Sequence, residues 1–411
     1  MLFRSIYLAW DVSIEMKNEA HWWNVRVNAL TGEYIDKNDF TTSCSFGDQC
    51  NDSPAHQHHA SQKRSFEFSF LPPLVPEYNV FPFPLEAPSF GSRSILVDPS
   101  NVTASPYGWH DVDGVAGNDY SITRGNNVYA YEDANNDNLP GYSPTSSTLQ
   151  FNFPFTSGVT PITNQDAAIT NLFYVNNKIH DVLYQLGFDE VAGNFQQNNY
   201  GKGGQANDHV KAEAFDGSGT NNANFSTPAD GASGRMQMYL WSGTSQLDGS
   251  FDNGVIAHEY GHGVSNRLTG GPAQASCLTN AEQGGEGWSD WLALMMTIEP
   301  GDNGAMARGI GTYVKGQATN GAGIRRYPYS TNMSINPQTY ANLAASSGPH
   351  QIGEIWCDAI WDMSWFLIDD LGYNSDPTVA TAGNNIAMRL VLEGMKLQPC
   401  SPGFLDARDA I

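Results

Sequence analysis

Two histidines four residues apart, His258 and His262, stand in the run Val255-Ile256-Ala257-His258-Glu259-Tyr260-Gly261-His262, with Glu259 directly after the first. On a helix that spacing puts both imidazoles on one face, toward a single point. Imidazole is a borderline-soft donor that suits zinc, and a zinc centre that performs chemistry keeps three protein ligands and a water in the fourth position. The ion lowers the pKa of that water toward about 7, and Glu259 beside it can then take the proton. The bland alternative is a satisfied polar cluster or a degenerate zinc site. Three such groups on an otherwise apolar helix are costly to bury without a metal.

A third ligand is needed, and one stretch offers two carboxylates, Glu282 and Glu286. Spacing alone does not choose between them. Glu286 is preferred because it opens the apolar helical run Gly287-Trp288-Ser289-Asp290-Trp291-Leu292, in which Asp290 can orient a ligand histidine by accepting its second N–H. Glu282 precedes Gly284-Gly285, which loosens its aim. The pattern with a third histidine, H-E-x-x-H-x-x-G-x-x-H, fails here: Ser265 stands at its glycine and Leu268 at its last histidine.

Helices must position these groups. From about residue 252 onward apolar residues recur at i, i+3 and i+4 over Gly254 to Arg267, Glu286 to Ile298, Ile352 to Leu371 and Asn384 to Leu397. Before that, residues 76 to 251 are rich in Gly, Asn and aromatics, with strand-like pieces at Ile95-Leu96-Val97 and Met236 to Trp241. One helical segment, about Asp166 to Leu186, interrupts them. Residues 1 to 43 alternate like two or three antiparallel strands, with a turn at Leu30-Thr31-Gly32-Glu33, and are too few to bury their own face. Residues 44 to 75 hold Cys44, Cys50, His56-Gln57-His58-His59 and Pro72-Pro73, and read as an exposed linker.

The 43 acidic and 20 basic residues give a net charge of −23, which argues against nucleic acid as a partner. No run of about 18 apolar residues exists, so no membrane-spanning helix is expected. Five cysteines are too few for a disulfide scaffold and lack paired CxxC spacing; Cys44 and Cys50 can close a small loop. Met1 to Trp10 is short and has no small-residue cleavage site, so it is not read as a signal peptide, and the true N-terminus is expected to lie upstream. The acidic run Glu132-Asp133-Ala134-Asn135-Asn136-Asp137 is a candidate for calcium, without the twelve-residue loop pattern.

The run from His258 to Pro272 and Gly285-Glu286-Gly287-Trp288-Ser289-Asp290 resemble fungalysin-type metallopeptidases, their bacterial branch most closely. The resemblance extends through Thr123 to Ala130, Asn171 to Tyr174, Gly219 to Phe225, Pro328 to Thr331 and Gly353 to Trp356. It implies an α+β, two-lobed, thermolysin-like fold with a β-rich N-terminal lobe over 76–251 and a mainly helical C-terminal lobe over 252–411. Residues 1–43 would be the end of a propeptide that inhibits the enzyme, 44–75 the activation region, and the mature chain would begin near Glu77-Tyr78-Asn79-Val80.

The resemblance further implies a secreted zinc endopeptidase made as a zymogen and acting on proteins or peptides, with His258, His262 and Glu286 as ligands. His350 resembles the histidine that stabilises the oxyanion, Asn222 and Ala223 the edge segment that pairs with substrate backbone, and Arg325, in preference to Arg326, a group that binds a substrate carbonyl. The tyrosine that assists the histidine in thermolysin has no placed match. Two departures stand out: Gly284-Gly285 replaces the Gly-Met-Gly of fungal members, and the chain stops within a helix that members continue, so that Cys400 is expected to have lost a partner. The rival class is a secreted binding or adhesion protein with a vestigial zinc site, separated from the enzyme by chelator-sensitive casein cleavage.

Overall fold

The computed structural model describes residues 8–16, 21–43, 74–243, 246–346 and 348–411. Cys44, Cys50 and the run His56 to His59 lie outside them. Strands β1 (Ala9–Glu15), β2 (Trp22–Asn28) and β3 (Tyr34–Asp39) form an antiparallel sheet in that order, turning at Gly32 with a positive φ of 73°. The next strand, β4 (Thr41–Ser43), leaves this sheet and joins another.

Strands β5 (Glu77–Val80), β6 (Ser94–Val97), β7 (Val128–Glu132), β8 (Gln150–Phe151), β9 (Val210–Ala214), β10 (Ala223–Ser226), β11 (Arg235–Met238), β12 (Leu240–Trp241) and β13 (Leu247–Asp248) follow. The central sheet has the order β4-β10-β11-β9-β7. Its register sorts side chains by face, as a period of two requires. Ala223, Phe225, Met236, Met238, Ala212, Val128 and Ala130 share one apolar, buried face. Asn224, Ser226, Arg235, Gln237, Glu213 and Tyr131 share the other, which is polar yet also buried.

The N-terminal sheet explains that burial. Glu15 accepts from Arg235 Nη1 at 2.6 Å, Asn138 Nδ2 donates to the Met16 carbonyl at 3.1 Å, and the Thr41 and Ser226 hydroxyls meet at 2.6 Å. The apolar face packs on α1 (Gln165–Gln185), whose Leu172, Val175, Ile179 and Leu183 form one buried stripe.

The remaining helices are α2 (Asn253–Leu268), α3 (Gly285–Met296), α4 (Gly348–Leu371), α5 (Gly383–Leu397) and α6 (Phe404–Ala410). Helix α2 starts where the Asp252 side chain accepts the Val255 N–H, a side-chain cap on an orphan donor. Its last turn carries Arg267, fully buried, which favours that end of the helix dipole. Its guanidinium reaches Asp208 at 2.9 Å and the Pro228, Gly193 and Ala232 carbonyls, so the buried charge is matched.

Cys400 is disulfide-bonded to Cys277, which corrects the expectation that it had lost its partner. The bond ties the segment after α2 to the turn between α5 and α6, where Ser401 N–H also donates to the Cys277 carbonyl. Asp133 accepts the Asp137 and Asn138 N–H groups, closing its own turn. Its carboxylate lies with those of Glu213 and Asp216, from β9 and the turn after it, rather than with other acids of the 132–137 run.

A candidate metal centre between three helices

Helices α2, α3 and α4 pack in succession, and glycines set how closely. A Cβ on Gly261 of α2 would lie 2.7 Å from Ser289 Cα of α3. A Cβ on Gly353 of α4 would lie 2.5 Å from the Glu286 Cβ and 2.6 Å from the Gly287 nitrogen. Neither approach leaves room for a side chain, so these residues let three backbones converge on one place.

There the side chains meet. His262 Nε2 stands 3.1 Å from His258 Nε2, and Glu286 places Oε2 3.3 Å from His258 Nε2 and Oε1 3.8 Å from His262 Nε2. Ligand atoms 2.0–2.2 Å from a tetrahedral zinc ion stand about 3.4 Å apart. Two imidazole nitrogens and a carboxylate, at separations bracketing that value, therefore fit zinc in number, chemistry and spacing. Glu259 is buried on the same helix, directly after His258. Glu282 is directed elsewhere, accepting the Phe404 N–H at 3.3 Å.

Asp290 governs the orientation of His258. Its Oδ1 lies 2.7 Å from His258 Nδ1, and since the carboxylate can only accept, Nδ1 carries a proton and Nε2 faces Glu286 and His262. Asp290 also accepts from Arg325 Nε at 2.6 Å and Nη2 at 2.9 Å, and from the Tyr329 hydroxyl. Arg325 Nη2 reaches Glu286 as well, at 3.1 Å. The arginine expected to meet a substrate carbonyl thus braces two carboxylates of the centre from a buried position. Arg326 turns instead to Glu354, at 2.7 Å.

Electrostatics follow from these neighbours. Burial disfavours the charge on Asp290, yet Arg325 and His258 outweigh it and hold the carboxyl below its usual range. Burial also works against Glu286, and the three histidines with Arg325 push it well down. Burial lowers His262 to about 3, keeping its ring neutral. Burial would lower His258 too, but Asp290 and Glu286 raise it to about 9.

His350, in the first turn of α4, brings Nε2 within 3.4 Å of Glu286 Oε1 and keeps about a quarter of its side chain exposed. Burial lowers its pKa, which favours the neutral ring. Ala223 opens β10, whose outer edge is paired antiparallel with β4 from Asn224↔Ser43 to Ser226↔Thr41. Asn222 precedes it, with its side-chain oxygen buried and without a hydrogen-bond donor.

The sequence matches the fungalysin metallopeptidase (M36) family over residues 77–411. The chain belongs to that family. It is 48% identical to the extracellular metalloproteinase MEP of Fusarium vanettenii over 347 residues, covering 81% of this chain and 54% of the relative. It is 46% identical to extracellular metalloproteinase 2 of Arthroderma gypseum, over 82% of this chain and 54% of the relative. To the extracellular metalloproteinase mep of Aspergillus fumigatus it is 44% identical, over 82% and 54%. The chain spans about half the length of the curated relatives it matches.

Within this family member the residue that sequence reasoning left out is Tyr329, which joins Arg325 on Asp290. It lies in Pro328-Tyr329-Ser330-Thr331, one of the segments that carry the resemblance, but no spacing rule ties it to a carboxylate 39 residues earlier in the chain. The hub formed by Asp290 is visible only once α3 and the loop 325–329 are placed together.

Proposed function

We propose that this chain is the catalytic part of a secreted zinc endopeptidase that hydrolyses peptide bonds of proteins and is made as a zymogen. The observation that carries the reading is the convergence of His258, His262 and Glu286 at spacings that suit one tetrahedral ion. Zinc held by these three would polarise a scissile carbonyl and bring a water's pKa near neutrality. Glu259 takes the proton from the attacking water and passes it to the leaving amine. His350 donates to the oxygen that gains charge, while Asp290, held by Arg325 and Tyr329, fixes the His258 tautomer.

Secretion is supported by the relatives, whose names describe extracellular metalloproteinases. A two-lobed, thermolysin-like arrangement is supported by the order of elements: strands up to Asp248 and helices α2 to α6 after it, with the donors on helices and the edge strand β10 beside α2. An extended peptide would pair with β10 through its backbone, which accommodates varied sequences. In this chain β4 takes that edge, which supports residues 1–43 as a self-inhibitory propeptide, 44–75 as the activation region and a mature start near Glu77. The Gly284-Gly285 departure supports the bacterial-branch likeness.

The deciding experiment measures bound metal and cleavage of casein together. One zinc per chain, chelator-sensitive cleavage, and a Glu259→Gln variant that keeps the zinc and loses nearly all turnover are expected. Full activity after complete removal of metal would overturn the reading. For latency, the full chain is compared before and after a single cut within residues 44–73; equal rates would count against it.

A further inference from the structure

Beside α1, whose Phe173 ring stacks on that of His110 at 5.0 Å, residues 110–119 close a loop by the Asp119 N–H donating to the His110 carbonyl at 3.0 Å. The loop reads His110-Asp111-Val112-Asp113-Gly114-Val115-Ala116-Gly117-Asn118-Asp119. Its three carboxylates each bring an oxygen within 4.8 Å of the other two. Among the described residues none of the three forms an ion pair with Lys, Arg or His.

One oxygen of each carboxylate is already occupied. Asp119 Oδ2 accepts the Val112 and Asp113 N–H groups at 2.7 and 3.0 Å, and Asp113 Oδ1 accepts the Val115 N–H at 2.8 Å. Asp111 Oδ1 accepts the Gly114 N–H at 3.0 Å and the Tyr200 hydroxyl at 3.1 Å. Asp111 itself is 0% exposed, and its Oδ2 meets no donor at all. A buried carboxylate oxygen without a donor is rare and destabilising, and beside two further carboxylates it lacks a positive charge rather than one more hydrogen bond. Burial and the two neighbouring acids raise the Asp111 pKa, consistent with that deficit.

We propose that Asp111, Asp113 and Asp119 bind a calcium ion, with Asp111 Oδ2 as the buried ligand. The donor set is all oxygen and trianionic, which suits a hard cation of flexible coordination and excludes a thiophilic one. Asp113 and Asp119 are exposed, so the ion reaches the site from solvent and keeps waters on that side. The ion would lock this loop to the segment holding Asn198, whose Nδ2 donates to the Val112 carbonyl, and Tyr200, whose ring lies against Gly114. The site is independent of the zinc reading and sits outside the acidic run 132–137.

The test is a calorimetric titration of the full, zinc-loaded chain with calcium chloride after removal of calcium with EGTA, paired with thermal melts. Calcium is expected to bind and to raise the melting midpoint in a concentration-dependent way, with affinity falling at least tenfold in both Asp111→Asn and Asp113→Asn. Asp137→Asn, in the neighbouring acidic turn, should bind as the wild type does. Should Asp111→Asn fold poorly, the exposed Asp113→Asn decides alone. Absence of binding at millimolar calcium, or affinity unchanged in Asp113→Asn, overturns the proposal.

Discussion

Asp290 carries three kinds of contact at once: the imidazole of His258 (a proposed metal ligand), a guanidinium and a phenol. Removing its charge while keeping its shape separates orientation from packing. Asp290→Asn is expected to lower zinc affinity by about 10- to 100-fold, the range for lost partners of metal ligands, measured by competition with a chromogenic chelator. Arg325→Leu is the harsher change, because it strands Asp290 and Glu286 as buried anions; a loss of about 3–5 kcal/mol in denaturant melts is expected. His350→Ala should instead leave stability nearly untouched and cut kcat by about 10²- to 10³-fold with little change in KM, since its donor matters when charge develops on the substrate. Asp290 was legible in the sequence because it follows Glu286 by one helical turn. Tyr329 and Arg325 come from a loop, where no period records which way a side chain faces, so the hub they complete was not.

At the scale of elements the helices were read almost to their ends. Apolar residues at helical spacing placed Gly254 to Arg267 within Asn253–Leu268 and Asn384 to Leu397 within Gly383–Leu397, because burial of one face imposes the period. How the helices meet was less visible, since it depends on single glycines. Gly261→Val puts its side chain into Ser289 Cα, backbone that cannot swing aside. It should force α2 from α3, costing about 1–3 kcal/mol as overpacking does and weakening zinc binding in the same variant. A variant destabilised to that degree but with unchanged metal affinity would show that the centre does not depend on this crossing. Strand β4 was not legible at all: three residues, Thr41-Thr42-Ser43, carry no pattern that names β10 as their neighbour.

For the whole molecule the unusual feature is a central sheet with a buried polar face, on which Asp133, Glu213 and Asp216 lie with oxygens within 4.8 Å of one another. Burial raises all three: Asp133 to about 7, helped by Asp216, Glu213 well above its ordinary value, and Asp216 upward despite the donors at Ser218. Arg235, shared with Glu15 of the N-terminal sheet, stands 3.8 Å from Glu213 and offsets one charge of three. The folded protein therefore holds protons that the unfolded chain, with carboxyls near about 4, has released. Stability from these groups is complete below that unfolded value and is lost as pH rises through about 7, the value for Asp133. Glu286 and Asp290, the carboxylates of the candidate metal centre, act in the opposite sense, but their loss falls at pH values below the unfolded range, so the two effects do not overlap. Melting midpoints taken with fixed zinc and calcium between pH 5 and pH 8 are expected to fall, and Glu213→Gln, which keeps the partners Tyr131 and Gln237 while removing one ionisation, should flatten that slope. A slope identical in wild type and variant would move the titrating groups elsewhere in the molecule.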